Sequence, residues 1–113
     1  MPRGAAAMGA TGPSQPANQE IQKMVDMVKD CAMERTNMNV NTFTAHSYAS
    51  QIVAGVNHFI KVDIGGGKFV HLRVHEPLPP NHQNFQLQGV RAGMSEQDPI
   101  VCFDEEVVEV VDR

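Results

Sequence analysis

Seven residues carry the most versatile side-chain chemistry in this chain: His46, His58, His71, His75 and His82, with Cys31 and Cys102. Converging imidazoles and thiolates would hold a zinc ion, and a thiolate beside an imidazole would make a nucleophile. The spacing supports neither. His58 falls in one alternating run and His71 and His75 in the next, and folding the two runs together sets His58 on the opposite face from the other two. His71 and His75 share a face but lie about 13 Å apart along an extended strand at about 3.3 Å per residue. Neither cysteine begins a helix or sits in a Gly-rich turn that would present a thiolate. Gly65-Gly66-Gly67 lacks the Lys-Ser/Thr and the following helix of a phosphate loop. No metal, no cofactor and no enzymatic activity are therefore expected. A hydrolase using Cys102 or Cys31 with a histidine stands only as an alternative by inventory.

A second kind of chemistry is apolar contact. Gln51-Ile52-Val53-Ala54-Gly55 is an apolar turn between two candidate strands, Leu78-Pro79 lies in a Pro-rich loop, and Met8-Gly9 lies in a small-residue arm. Apolar turn tips are suited to burial against a partner, the plain alternative being a bend in which Gly supplies a positive φ.

The elements that would position these segments follow from periodicity. Met1 to Ala17 is rich in Gly, Ala, Pro, Ser and Gln with no period, the composition of a flexible arm. Ile21, Met24, Val25, Val28 and Ala32 then form one apolar stripe at helical spacing, with Asn18 as the N-cap and Asn37 and Asn39 closing the helix. Met24, Met27 and Cys31 read as core packing. From Thr42 the period is two. His58, Ile60, Val62 and Ile64, the Gly65–Gly67 turn, and Lys68, Val70, Leu72 and Val74 describe a hairpin. In it Val62 faces Val70, Ile60 faces Leu72, Lys61 meets His71 and Phe59 meets Arg73. Thr42 to Ile52 reads as a strand before it, Phe85, Leu87 and Val90 as one after it, and Ile100 to Phe103 as a candidate last strand. The expected class is α+β, an antiparallel sheet of four to five strands packed around one helix.

Composition bounds the partners. The 113 residues contain 9 Lys plus Arg, 13 Asp plus Glu, 42% apolar and 5% aromatic residues, which suits one small domain. Six acids (Asp98, Asp104, Glu105, Glu106, Glu109, Asp112) against Arg113 concentrate the negative charge at the C-terminal end. The rest is near neutral and lacks the basic field that nucleic acid or an acidic membrane surface would require. No run reaches a membrane-span length and no hydrophobic leader opens the chain, so a cytoplasmic location and reduced thiols are expected.

Gln51-Ile52-Val53-Ala54-Gly55 matches the QxVxG motif of the cystatin superfamily. Val56-Asn57-His58-Phe59-Ile60-Lys61-Val62 and Phe69-Val70-His71-Leu72-Arg73-Val74 resemble its stefin, or type 1, branch. The likeness extends from about Met8 to Phe103 and includes a Gly in the arm, the Gln15-Pro16-Ala17 helix entry and Leu78-Pro79. It implies residues 1–17 as an arm that joins the inhibitory edge, 8–103 as a cystatin domain and 104–113 as an acidic tail. It further implies a tight, reversible, competitive inhibitor of papain-like cysteine proteases such as papain and cathepsins L, S, H and B. In solution it would be a monomer, with a domain-swapped dimer as the alternative. Contacts would come from Met8, Gly9, Gln51, Ile52, Val53, Ala54, Gly55, Leu78 and Pro79, aligned as a wedge that presents no carbonyl to the catalytic thiolate. Gly9 would be the pivot of the arm, with Gly4 and Gly12 as rivals. Three features depart from the stefin pattern: the long arm, Pro80 after Leu78-Pro79, and the tail beyond Phe103, which would be a disordered end or an added edge strand. They keep a cystatin-fold binding module without inhibition as the alternative.

Overall fold

The computed structural model describes residues 12–104. Its helix, α1 (Gln19–Thr36), forms where the apolar period is helical, and it buries Ile21, Met24, Val25, Val28 and Ala32. Asn18 Oδ1 accepts from the Ile21 N–H at 2.9 Å, satisfying one of the free donors of the first turn. Asn37 closes the helix in the left-handed region at φ 57°, which asparagine tolerates. The expected core role holds for Met24 but not for its neighbours: Met27 is 57% exposed and Cys31 is exposed. At about 100° per residue both turn away from the centre of the stripe.

Five antiparallel strands follow one another across the sheet: β1 (Gln15–Pro16), β2 (Thr44–Val53), β3 (Gly55–Gly65), β4 (Lys68–Glu76) and β5 (Gln86–Met94). The hairpin register is the expected one, with Ile60 opposite Leu72, Val62 opposite Val70, Lys61 opposite His71 and Phe59 opposite Arg73. Gly65, Gly66 and Gly67 turn it at φ 93°, 66° and 76°. On one face Ile60, Val62, Val70, Leu72, Val74 and Val90 are fully buried in the same apolar cluster as the α1 stripe. A register shift between Ala45 and Ser47 bends β2, and α1 supports the bend through Gln22. The Gln22 Oε1 accepts from the Ala45 N–H at 2.8 Å and its amide donates to the Phe43 carbonyl at 3.3 Å.

Two features differ from the sequence pattern. β1 has no periodic signal: it is held by pairing Gln15 with Tyr48 and Pro16 with Ser47, flanked by Gly12 N–H to the Ser50 carbonyl at 3.0 Å and Ala17 N–H to the His46 carbonyl at 3.1 Å. Pro16 is tolerated because β1 is the edge, where a missing N–H leaves no ladder partner unsatisfied. The expected strand at Ile100 to Phe103 is not formed. Asp98 Oδ2 accepts from the Ser95 N–H at 2.7 Å, and the resulting turn, followed by Pro99, takes the chain away from the β5 edge. It crosses the outer face of the sheet instead. There Phe103 is buried against Phe59, with ring centroids 5.8 Å apart and the Arg91 guanidinium 5.5 Å from its ring. Among the described residues no helix is long and apolar enough to cross a membrane.

Candidate functional site

A meander brings alternate connections to the same end of a sheet. The β2–β3 turn and the β4–β5 loop therefore lie side by side, while Gly65–Gly67 lies at the far end. The segment before β1 runs antiparallel to β2, and its bond from Gly12 to the Ser50 carbonyl directs it to the near end as well. Three stretches of chain thus converge on one edge.

That edge is apolar where it should be polar. The exposed large apolar side chains among the described residues are Met27, Ile52, Val53, Leu78 and Val101, and three of these five are here. Ile52 is 79% exposed, Leu78 58% and Val53 42%, with Ala54, Pro79 and Pro80 exposed beside them. Such a concentration on a small domain is suited to burial against a partner. The Leu78–Phe85 connection is compact: Asn81 N–H bonds to the Leu78 carbonyl at 3.1 Å and Asn84 N–H to the Asn81 carbonyl at 2.9 Å. Its Pro79–Pro80 peptide is cis.

The two connections are locked together beneath their tips. Gly55 adopts φ 97°, and a Cβ at this position would overlap the Glu76 carbonyl oxygen and lie 3.0 Å from the His75 ring. Only glycine lets the end of β3 approach the end of β4 so closely. Side chains repeat the tie on both faces. On the helix side His58 Nδ1 is 2.7 Å from Ser50 Oγ and its Nε2 is 2.8 Å from Glu76 Oε1. On the outer side His75 Nδ1 is 2.8 Å from Asn57 Oδ1.

Gln51, Ile52, Val53, Ala54, Gly55, Leu78 and Pro79 are brought together as one edge, whereas Met8 and Gly9 lie outside the described residues. The ties are absent from the sequence reading. Asn57 and His75 are a direct cross-strand pair that the hairpin register already contains. His58 and Glu76 are diagonal, since His58 faces Val74 and Glu76 faces Val56, so their meeting depends on strand twist that a register cannot show.

The remaining reactive groups point away from catalysis. His71 is 1% exposed, and neither ring nitrogen has a hydrogen-bond partner among the described residues. Burial, reinforced by the Lys61 ammonium, pushes its pKa down to about 4, so it is a neutral core residue. Burial and then the Asp104 carboxylate push the Cys102 thiol up, opposite to what a nucleophile requires. Among the described residues no three His, Cys, Asp or Glu side chains could hold a metal ion.

A model of the cystatin domain matches residues 9–94, most of the chain. The chain belongs to the cystatin family. Cystatin-B of Oplegnathus fasciatus is 45% identical over 87 residues, covering 77% of this chain and 87% of the relative. Cystatin-B of Mus musculus is 40% identical over 95 residues, 84% of this chain and 97% of the relative. Leukocyte cysteine proteinase inhibitor 1 of Sus scrofa is 39% identical over 97 residues, 86% and 93% of the two chains. These place it on the stefin branch of the cystatin family. The family model's match ends at Met94, and the crossing from Ser95 to Asp104 over the outer face follows directly after it.

Proposed function

We propose that the protein is a tight-binding, reversible, competitive inhibitor of papain-like cysteine proteases, and that the apolar edge is the part that enters the active-site cleft. The observation that carries this reading is the convergence of Ile52, Val53, Ala54, Leu78 and Pro79, exposed, on two connections fixed to each other by Gly55. Fully burying one Val, Leu or Ile contributes about 1.5 to 3 kcal/mol, and these are partly buried already. Three such side chains give roughly 3 to 6 kcal/mol against an association cost of about 4 to 15 kcal/mol. Tight binding therefore requires more than the apolar tips: backbone hydrogen bonds from Gln51 to Gly55, and the arm with Met8 and Gly9 in the non-primed subsites. A preformed edge keeps the ordering cost low.

The protein is cleaved slowly or not at all in this reading because the wedge presents no peptide carbonyl within about 3.5 Å of the thiolate in an aligned pose. Cathepsins L, S, H and B are the proposed targets, the cytoplasm the proposed location and a monomer the proposed acting form. The test is titration of papain against a small peptide substrate after equilibration. Competitive loss of activity is expected, weakened at least a hundredfold by Val53→Asp, which would carry an unpaired carboxylate into an apolar groove. A folded protein that leaves papain fully active at micromolar concentration would overturn the proposal and identify a binding module without inhibition.

A further inference from the structure

Ser50, His58 and Glu76 occupy revealing places in the chain. Ser50 is the residue before Gln51, and Glu76 is the last residue of β4, immediately before Pro77-Leu78-Pro79. His58 bridges them from β3, with Nδ1 at 2.7 Å from the serine hydroxyl and Nε2 at 2.8 Å from the carboxylate. Ser50 also receives the arm, because its carbonyl accepts from the Gly12 N–H at 3.0 Å. One node therefore touches the bases of all three converging segments.

Resting on the inhibitor reading above, we propose that Ser50, His58 and Glu76 are positioning residues of the inhibitory edge: their hydrogen-bonded chain fixes the second loop relative to the first turn, whichever way the His58 ring carries its protons. With a neutral ring, the Ser50 hydroxyl donates to Nδ1 and Nε2–H donates to Glu76. With a protonated ring, Nδ1–H donates to the serine oxygen and Nε2–H to the carboxylate. Both bonds survive protonation, and the second becomes an ion pair between side chains that are 11% and 33% exposed. The other charged or titratable groups around His58 are Glu20 and Lys23 of α1, Tyr48 of β2, whose ring centroid is 6.4 Å away, and His82 of the β4–β5 loop. The order Ser, His, Glu also belongs to nucleophilic catalysis. Ser50, however, lies in a strand with its carbonyl committed to Gly12, with no helix N-terminus or turn behind it to supply oxyanion donors.

The experiment compares the wild type with Glu76→Ala and Glu76→Gln for equilibrium inhibition of papain at one fixed pH and ionic strength. Dividing each variant's dissociation constant by that of the wild type isolates the effect of the substitution. Glu76→Ala should weaken binding about tenfold, the loss of one charge-assisted hydrogen bond. Glu76→Gln keeps an acceptor for Nε2–H, so it should bind within about twofold of the wild type. Unfolding midpoints measured alongside should show all three proteins folded. An Ala variant that inhibits as well as the wild type, or a Gln variant as weak as the Ala variant, would overturn the positioning role while leaving the inhibitor reading intact. A wild type that does not inhibit would overturn both.

Discussion

Replacing Gly55 by alanine asks two things of one methyl group. The residue has φ 97°, so any L side chain is strained there by about 1 to 2 kcal/mol. The added Cβ also overlaps the Glu76 carbonyl oxygen and sits 3.0 Å from His75 Cε1 and 3.2 Å from its Nε2. A carbonyl in a ladder cannot swing aside, so the ends of β3 and β4 must separate, at the typical overpacking cost of about 1 to 3 kcal/mol. Gly66 provides the control: its φ is 66°, and nothing lies within 4 Å of a Cβ built there. Gly66→Ala should thus cost about 1 kcal/mol, the conformational part alone, and Gly55→Ala about 2 to 5 kcal/mol. Urea unfolding of both variants measures the difference, and papain inhibition measures its consequence, since separation at Gly55 moves the first turn relative to the second loop while Gly66 lies at the far end of the hairpin. Gly55→Ala should release papain at least tenfold faster than the wild type, and Gly66→Ala should not. Equal destabilisation by the two substitutions, or an unchanged release rate in a folded Gly55→Ala protein, would refute the claim that the close approach at Glu76 sets the shape of the edge.

Two further outcomes test the outer face. His71 has its pKa lowered from 6.5 to about 4, so between these values the unfolded chain binds a proton that the folded protein refuses. Its contribution is fully present above the unfolded value and is lost as pH falls towards the folded one, about 3 kcal/mol across the window. Unfolding free energies from pH 7 to pH 4 should show this decline, and His71→Phe should flatten it. Asp98 does not complicate that range, because its carboxyl is lowered from 3.8 by the Ser95 hydrogen bonds and its influence is lost only below that value. Phe103→Ala should cost about 3 kcal/mol in thermal or urea unfolding by removing the ring packed between Phe59 and Arg91; a loss under 1 kcal/mol would show that the crossing segment is not part of the cooperative fold.

What the sequence revealed follows the strength of its local signals. The α1 stripe and the β3–β4 register were legible because one wrong step in either period would place charges such as Asp26 or Lys61 in the apolar core. The Ile52-Val53-Ala54 turn was legible because apolar residues at a bend contradict the usual solvent preference of turns. β1 was not, since two residues, one of them proline, have no period, and its place comes from bonds to β2 alone. Ile100 to Phe103 imitates a strand in composition, but an Asp98 turn and Pro99 decide the direction of the chain. The Ser50–His58–Glu76 chain was hidden for another reason: it joins residues on three strands through a diagonal contact, and no linear pattern in the chain encodes a diagonal.

The segment from Ser95 to Asp104 gives the sheet a cover on the side where α1 cannot reach. Beneath it lie Phe59, Lys61, His71 and the half-buried Arg73 and Arg91. A sheet closed on both faces has nowhere to stack, and this one is closed on its second face by an irregular segment anchored at Phe103. Shortening the chain before that ring would bare Phe59 and leave the Arg73 guanidinium without the Asp104 carboxylate 3.1 Å away. The crossing segment thus lets the two sides of one small sheet serve different ends: the outer face keeps its aromatic ring and cations under cover, while the apolar side chains at the narrow edge stay exposed.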